Sequence, residues 1–164
     1  MIDVKQQERA VQQDGNKVDG CELCALAAGQ AVPGAQVVHA HEKFVVILAD
    51  EANYPGFARV VWRAHVRELS DLADADRLLL NDAVWRLELA VREVMQPLKV
   101  NVASLGNVVP HLHWHVIPRY ADDAHFPAPV WAQAARATEP AVLASRRALL
   151  PQLAHAIGRR FAKQ

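Results

Sequence analysis

The sequence predicts an α+β fold: a meandering antiparallel sheet with one long helix on one side and a C-terminal helical tail. Three observations predict it. Short apolar runs are separated by turn chemistry, one long stretch has helical period, and three histidines alternate strictly with apolar residues. The 164 residues fit one domain, and 52% hydrophobic with 22% charged residues is the balance of an ordinary globular chain. A domain near this size buries roughly 68–70% of its unfolded surface and needs no staples to fold.

Along the chain, residues 1–20 are polar with no apolar signal core, so they read as an N-terminal arm of a cytoplasmic protein. Val37-Val38 leads into the compact apolar run Phe44-Val45-Val46-Ile47-Leu48, a strand. Asn53-Tyr54-Pro55-Gly56 is turn chemistry, because Pro presets φ and Gly tolerates positive φ. Residues 58–62 form the next strand, antiparallel to the previous one. From 74 to 95 the apolar residues Leu80, Val84, Leu87, Val91 and Val94 recur at three and four, one face of a helix that Pro97 cannot continue. Residues 99–103 and 112–117 read as two more strands, joined by a loop containing Gly106. Between Pro118 and Pro140 the prolines predict extended loop, and 141–161 is a helical tail that Pro151 kinks or splits in two. His39 and His41 fall in a charged turn and read as solvated.

Charge and hydropathy exclude two function classes. Lys plus Arg and Asp plus Glu both number 18, so nothing here provides a general electrostatic grip on nucleic acid. No run of 18 apolar residues exists to span a membrane as a helix. Two cysteines, Cys21 and Cys24, are too few for a disulfide scaffold; they are spaced like redox or metal ligands, or are simply two small buried residues.

The chemistry concentrates in His111-Leu112-His113-Trp114-His115-Val116-Ile117. Alternate side chains of a strand share a face about 6–7 Å apart, so Leu112, Trp114 and Val116 face the core and three imidazoles line the other side. Such a row fits either a metal site or a nucleophile with positioning partners. The seven residues match, position for position, the His-φ-His-φ-His-φ-φ signature of the histidine triad family, where φ is apolar, and Pro118-Arg119 after them is similar too. Upstream, the 44–48 run, Asp50, Pro55-Gly56, the 60–62 strand and His65 fall where members of that family have their first strands. The resemblance covers residues 21–120, which makes 1–20 a flexible arm, 21–120 the domain core and 121–164 a C-terminal extension. His125-Phe126-Pro127-Ala128-Pro129-Val130-Trp131 resembles a tail of some bacterial members.

The resemblance implies a homodimeric nucleotide hydrolase or nucleotidyl transferase acting at the α-phosphate of dinucleoside polyphosphates or nucleoside phosphoramidates. His113 would be the nucleophile, forming a nucleotidyl-histidine, and His115 would donate to a phosphate oxygen or the leaving group. Asp50, Asn101 and Asn107 would contact the nucleotide, Asp50 at the ribose. Zinc-bearing members are similar in the CxxC, the later histidine and the first triad histidine, so Cys21, Cys24, His65 and His111 would hold a structural zinc. Two positions depart from the family pattern: Phe57 stands where a fourth histidine is common, and Val108 where Ser or Thr is. Two other readings follow from the residues: a nucleotide-binding module with negligible turnover, and a metal-dependent hydrolase ligated by His111, His113 and His115.

Overall fold

A computed structural model describes residues 18–162; nearly all of the expected N-terminal arm, residues 1–17, lies outside the described residues. In chain order the elements are α1 (Glu22–Ala27), β1 (Ala35–Ala40), β2 (Phe44–Ala49), β3 (Ala58–Trp62), a 3₁₀ turn (Leu69–Asp71), α2 (Asp74–Met95), β4 (Lys99–Ala103), β5 (His113–Arg119), α3 (Pro140–Arg147) and α4 (Leu150–Phe161). The strands form one antiparallel sheet in the order β1-β2-β3-β5-β4.

Alternation along the strands divides the sheet into two faces. Phe44, Val46, Leu48, Val60, Trp62 and Val116 belong to the main core, together with the apolar face of α2 (Leu80, Val84, Leu87, Val91, Val94) and with Leu153, Ile157 and Phe161 of α4. Val45, Ile47 and Val61 point the other way and are covered by Leu23 and Leu26 of α1. Coverage on both faces is why β2 reads as a continuous apolar run instead of an alternating one. Each such side chain contributes about 1.5–3 kcal/mol on burial, so this double packing is what holds the central strands rigid.

Turn chemistry connects β2 to β3. Phe57 N–H bonds the carbonyl of Tyr54 at 3.0 Å, with Pro55 and Gly56 between them and Gly56 at φ 90°, a type II turn. Helix α2 ends at Met95, with Gln96 in the left-handed region just before Pro97. Pro151 splits the tail into two helices; it stands in the first turn of α4, where its missing N–H has no intrahelical partner to lose.

Several expectations change. Val37-Val38 belong to a strand of their own, β1, which doubles back onto β2 and carries an irregularity between Val37 and His39. His39 is therefore in a strand, its ring stacked 4.6 Å from Phe161, and His41 stacks 4.6 Å from Phe44. Neither is merely solvated, because the returning α4 and the start of β2 bring aromatic rings over them. The final strand begins at His113, one residue later than expected, and runs on through Pro118 to Arg119. Pro118 is tolerated because pairing with β3 ends at Ala58 opposite Val116, leaving no ladder on that side for it to interrupt. Among the described residues, no helix is long and apolar enough to cross a membrane.

Candidate active site and metal centre

The β3–β5 register pairs Val61 with His113 and Arg59 with His115. These four side chains share the face opposite α2. The rings of His113 and His115 lie edge to face, 4.7 Å between centroids, and both residues are buried. His113 Nδ1 is 2.6 Å from the carbonyl oxygen of His111. A carbonyl only accepts, so Nδ1 carries the hydrogen and neutral His113 has its lone pair on Nε2. The hydroxyl of Ser104 donates to the carbonyl of His113 at 2.9 Å, fixing the backbone beneath the ring.

Burial sets the electrostatics of this face. It lowers the pKa of His113 below its ordinary value, opposed by the hydrogen bond to His111 and reinforced by the positive charge of Arg59. For His115 burial comes first, then His113 and Arg59, and together they push it down to about 3. His115 is thus neutral at pH 7. Phe57 and Trp131 flank it edge-on, each 5.4 Å away, and its Nδ1 is buried with no hydrogen-bond partner.

A cavity of about 540 Å³ opens over this face, lined by His113, His115, Arg59, Trp131, the loop at 105–109 and the start of α1. That volume is in the usual range for a small-molecule site. Of the three polar residues expected to contact a ligand, Asn107 lies on the cavity wall. Asn101 and Asp50 are not among the lining residues. Asn101 Oδ1 instead accepts from Arg119 Nη1 at 2.6 Å, and Asp50 is exposed after β2, its N–H on the carbonyl of Gly34 at 2.8 Å.

The same Arg119 forms a bidentate pair with Asp123, both side chains almost wholly buried, at 2.7 and 3.0 Å, and also donates to the carbonyl of Ala128 at 2.8 Å. Burial raises the pKa of Asp123, but the Arg119 hydrogen bond and the N–H groups of Tyr120 and His125 outweigh it, for a net value of about 2. This pair ties the end of β5 to the loop that delivers Trp131 to His115. Sequence reasoning missed Arg59 and the Arg119–Asp123 pair. A single charged residue in the apolar strand Ala58–Trp62 was the available signal for the first; nothing local marks the second.

His111 leaves the histidine row. It precedes β5, and its Nε2 donates to the carbonyl of Trp62 at 2.6 Å, which turns Nδ1 toward the cysteines. Nδ1 lies 3.5 Å from Cys21 Sγ and 3.4 Å from Cys24 Sγ, while His65 Nδ1 is 3.2 Å from Cys24 Sγ. One ligand atom from each of Cys21, Cys24, His65 and His111 lies within 4.8 Å of the others. Tetrahedral zinc with its usual bond lengths to sulfur and nitrogen requires S···N edges of roughly 3.5 Å. The set fits that geometry, and the Trp62 carbonyl is the outer partner that a ligating histidine needs. Among the described residues His111, His113 and His115 do not form such a group, because His111 is drawn off to the cysteines.

A family model described as HIT domain matches residues 30–122. The chain belongs to the HIT domain family. It is 27% identical over 118 residues to Protein hit of Bacillus subtilis, covering 69% of this chain and 79% of that one. It is 32% identical over 78 residues to the AP-4-A phosphorylase of Mycobacterium tuberculosis, a match of 44% of this chain and 40% of that enzyme. A crystal structure of a histidine triad protein from Bradyrhizobium japonicum superposes with a TM-score of 0.63 at 28% identity, over 77% of this chain and 90% of that one. A zinc-bound HIT family protein from Mycobacterium smegmatis shares the fold, with a TM-score of 0.61 at 20% identity over 88% of this chain and 98% of that one. The α+β architecture read from the sequence is therefore the HIT architecture, with both CxxC cysteines lying before the matched region.

Proposed function

We propose that this HIT protein transfers a nucleotidyl group from the α-phosphate of a nucleotide to His113 and then to water or another acceptor. The observation that carries this reading is the His111 carbonyl on His113 Nδ1, which leaves Nε2 as a lone-pair atom on a residue of the cavity wall. Imidazole with an ordinary pKa near 6.5 is mostly neutral at pH 7, and burial strengthens that state, so no separate base is needed. Nε2 forms a bond to phosphorus as the bond to the leaving group breaks, and the electron pair departs with that group. Water then adds to phosphorus, the P–N bond breaks, one proton goes to solvent, and neutral His113 is regenerated. His115 and Asn107, on the cavity wall, hold oxygens of the transferred phosphate during both steps, which is the main lever in phosphoryl transfer. Dinucleoside polyphosphates and phosphoramidates are the substrate classes; the similarity to an AP-4-A phosphorylase supports the first.

Cys21, Cys24, His65 and His111 hold a structural zinc in this reading, supported by the fit of their spacing and by the zinc-bound relative. Four protein ligands close the tetrahedron, so the metal would contribute folding energy and no open coordination position. The nucleotide reaction does not pass through it.

The test is intact-mass measurement of enzyme quenched during turnover. Wild type should gain the mass of one nucleotidyl group (a nucleoside monophosphate less water), mapped to His113, with net retention at phosphorus from the two displacements. His113→Ala should lose several orders of magnitude in kcat and keep most of its nucleotide affinity, since the lost interaction exists only along the reaction path. Inversion at phosphorus, or full activity in His113→Ala, would falsify the nucleophile assignment. Nucleotide binding without turnover would instead favour a binding module.

A further inference from the structure

Arg59 is the one charged residue of β3, and its register with His115 places it on the histidine face, in the wall of the cavity. A guanidinium has five N–H donors in a planar fork and keeps its charge in proteins. Here they are mostly unused. Nη2 makes one long contact, 3.4 Å, to Glu51, a carboxylate on a side chain that is 44% exposed. Cζ lies 5.3 Å from the centroid of the Phe57 ring. Nε is buried and has no hydrogen-bond partner. A charged donor left unmade is costly, and this fork stands at the cavity with donors to spare for an anionic ligand. The remaining cavity wall is apolar or neutral apart from Glu22, which is exposed at the start of α1. The cavity thus offers one fixed positive charge, beside the two histidines.

We propose that Arg59 binds the phosphate chain that leaves when His113 attacks, so that the site selects nucleotides with an anionic polyphosphate leaving group over those with a neutral amine. This rests on the reading of His113 as nucleophile. When Nε2 bonds to the α-phosphorus of a dinucleoside polyphosphate, the bond from phosphorus to the bridging oxygen breaks. Its electron pair stays on that oxygen, and negative charge grows there. A guanidinium stabilises that charge through paired, charge-assisted hydrogen bonds, and these strengthen as the bond breaks. In a phosphoramidate the P–N bond breaks instead, and the nitrogen takes up a proton from solvent to depart as a neutral amine. No anion forms at the leaving group, so Arg59 gains nothing there.

The experiment compares kcat/KM for diadenosine tetraphosphate and adenosine 5′-phosphoramidate, which share the transferred adenylyl group, in wild type, Arg59→Met and Arg59→Lys. The polyphosphate-to-phosphoramidate ratio should fall by about tenfold or more in Arg59→Met and less in Arg59→Lys, which keeps the charge and loses the fork. Equal losses on both substrates, or no change in the ratio, overturn the proposal. Circular dichroism checks folding; if Arg59→Met does not fold, the same ratio read in Arg59→Lys decides. Calorimetric titration with inorganic tripolyphosphate separates this proposal from the nucleophile reading. Tripolyphosphate binding that weakens about tenfold or more without Arg59 supports the anion site even in an enzyme that fails to label at His113. Wild type that binds no tripolyphosphate overturns it, whatever the labelling shows.

Discussion

His113 and His115 are two residues apart on one strand, yet their surroundings assign them different chemistry. His113 has a fixed tautomer because a carbonyl takes its Nδ1–H. His115 has aromatic edges on two sides and a buried nitrogen without a partner, so its tautomer is free to follow a ligand. Backbone geometry makes similar demands at single residues. Gly56 has φ 90°, and a Cβ there would lie 3.0 Å from Met95 Cε. The Met95 side chain is able to move, but the left-handed backbone strain remains. Gly56→Ala should therefore lower stability by about 1–2 kcal/mol in urea unfolding. An unchanged midpoint would mean that the turn had rearranged.

At the scale of elements, two cross-links hold the pieces around the cavity. The first is the cysteine–histidine cluster, which joins α1, the residues after β3 and the residues before β5. Protein purified without chelator should carry about one zinc per chain. Cys24→Ser should lose the metal and melt lower, because metal binding to such a site is folding energy. Elemental analysis without zinc in the wild type would refute the site. The second is Arg119–Asp123, which ties β5 to the loop carrying Trp131. Removing one partner of a buried pair costs about 3–5 kcal/mol, so Asp123→Asn should unfold at markedly lower urea. Because Asp123 is depressed to about 2 in the folded chain, its contribution is complete above about pH 4 and is lost as the pH falls toward 2. Asp123→Asn should flatten that part of the stability-against-pH curve relative to wild type, which paired unfolding series would measure.

At the scale of the whole molecule, α2 and the edge strand β4 leave apolar surface uncovered. Leu78 and Trp85 of α2 are exposed, as are Leu98 and Val102 at the sheet edge. We propose that a second copy covers them. Light scattering should then give about twice the 18.1 kDa of one chain, and a monomer at micromolar concentration would refute it. Most of the architecture was legible beforehand, since helix and strand period, Pro97 and the Pro55-Gly56 turn are local signals. The period placed Leu80, Val84, Leu87, Val91 and Val94 on one buried face, as the structure has them. The site was legible only in part. By itself the sequence determined that three imidazoles alternate with apolar residues and that two cysteines stand three positions apart, because both are properties of short stretches. The family resemblance had already grouped His111 with the cysteines; the tertiary structure decided between that grouping and the histidine row, set His113 and His115 on the cavity, and turned Asn101 to Arg119 instead of the cavity. It also decided that Arg59 stands beside His115. Those pairings depend on strand register and on where loops return, which bring together residues up to 90 positions apart and leave no local pattern to read.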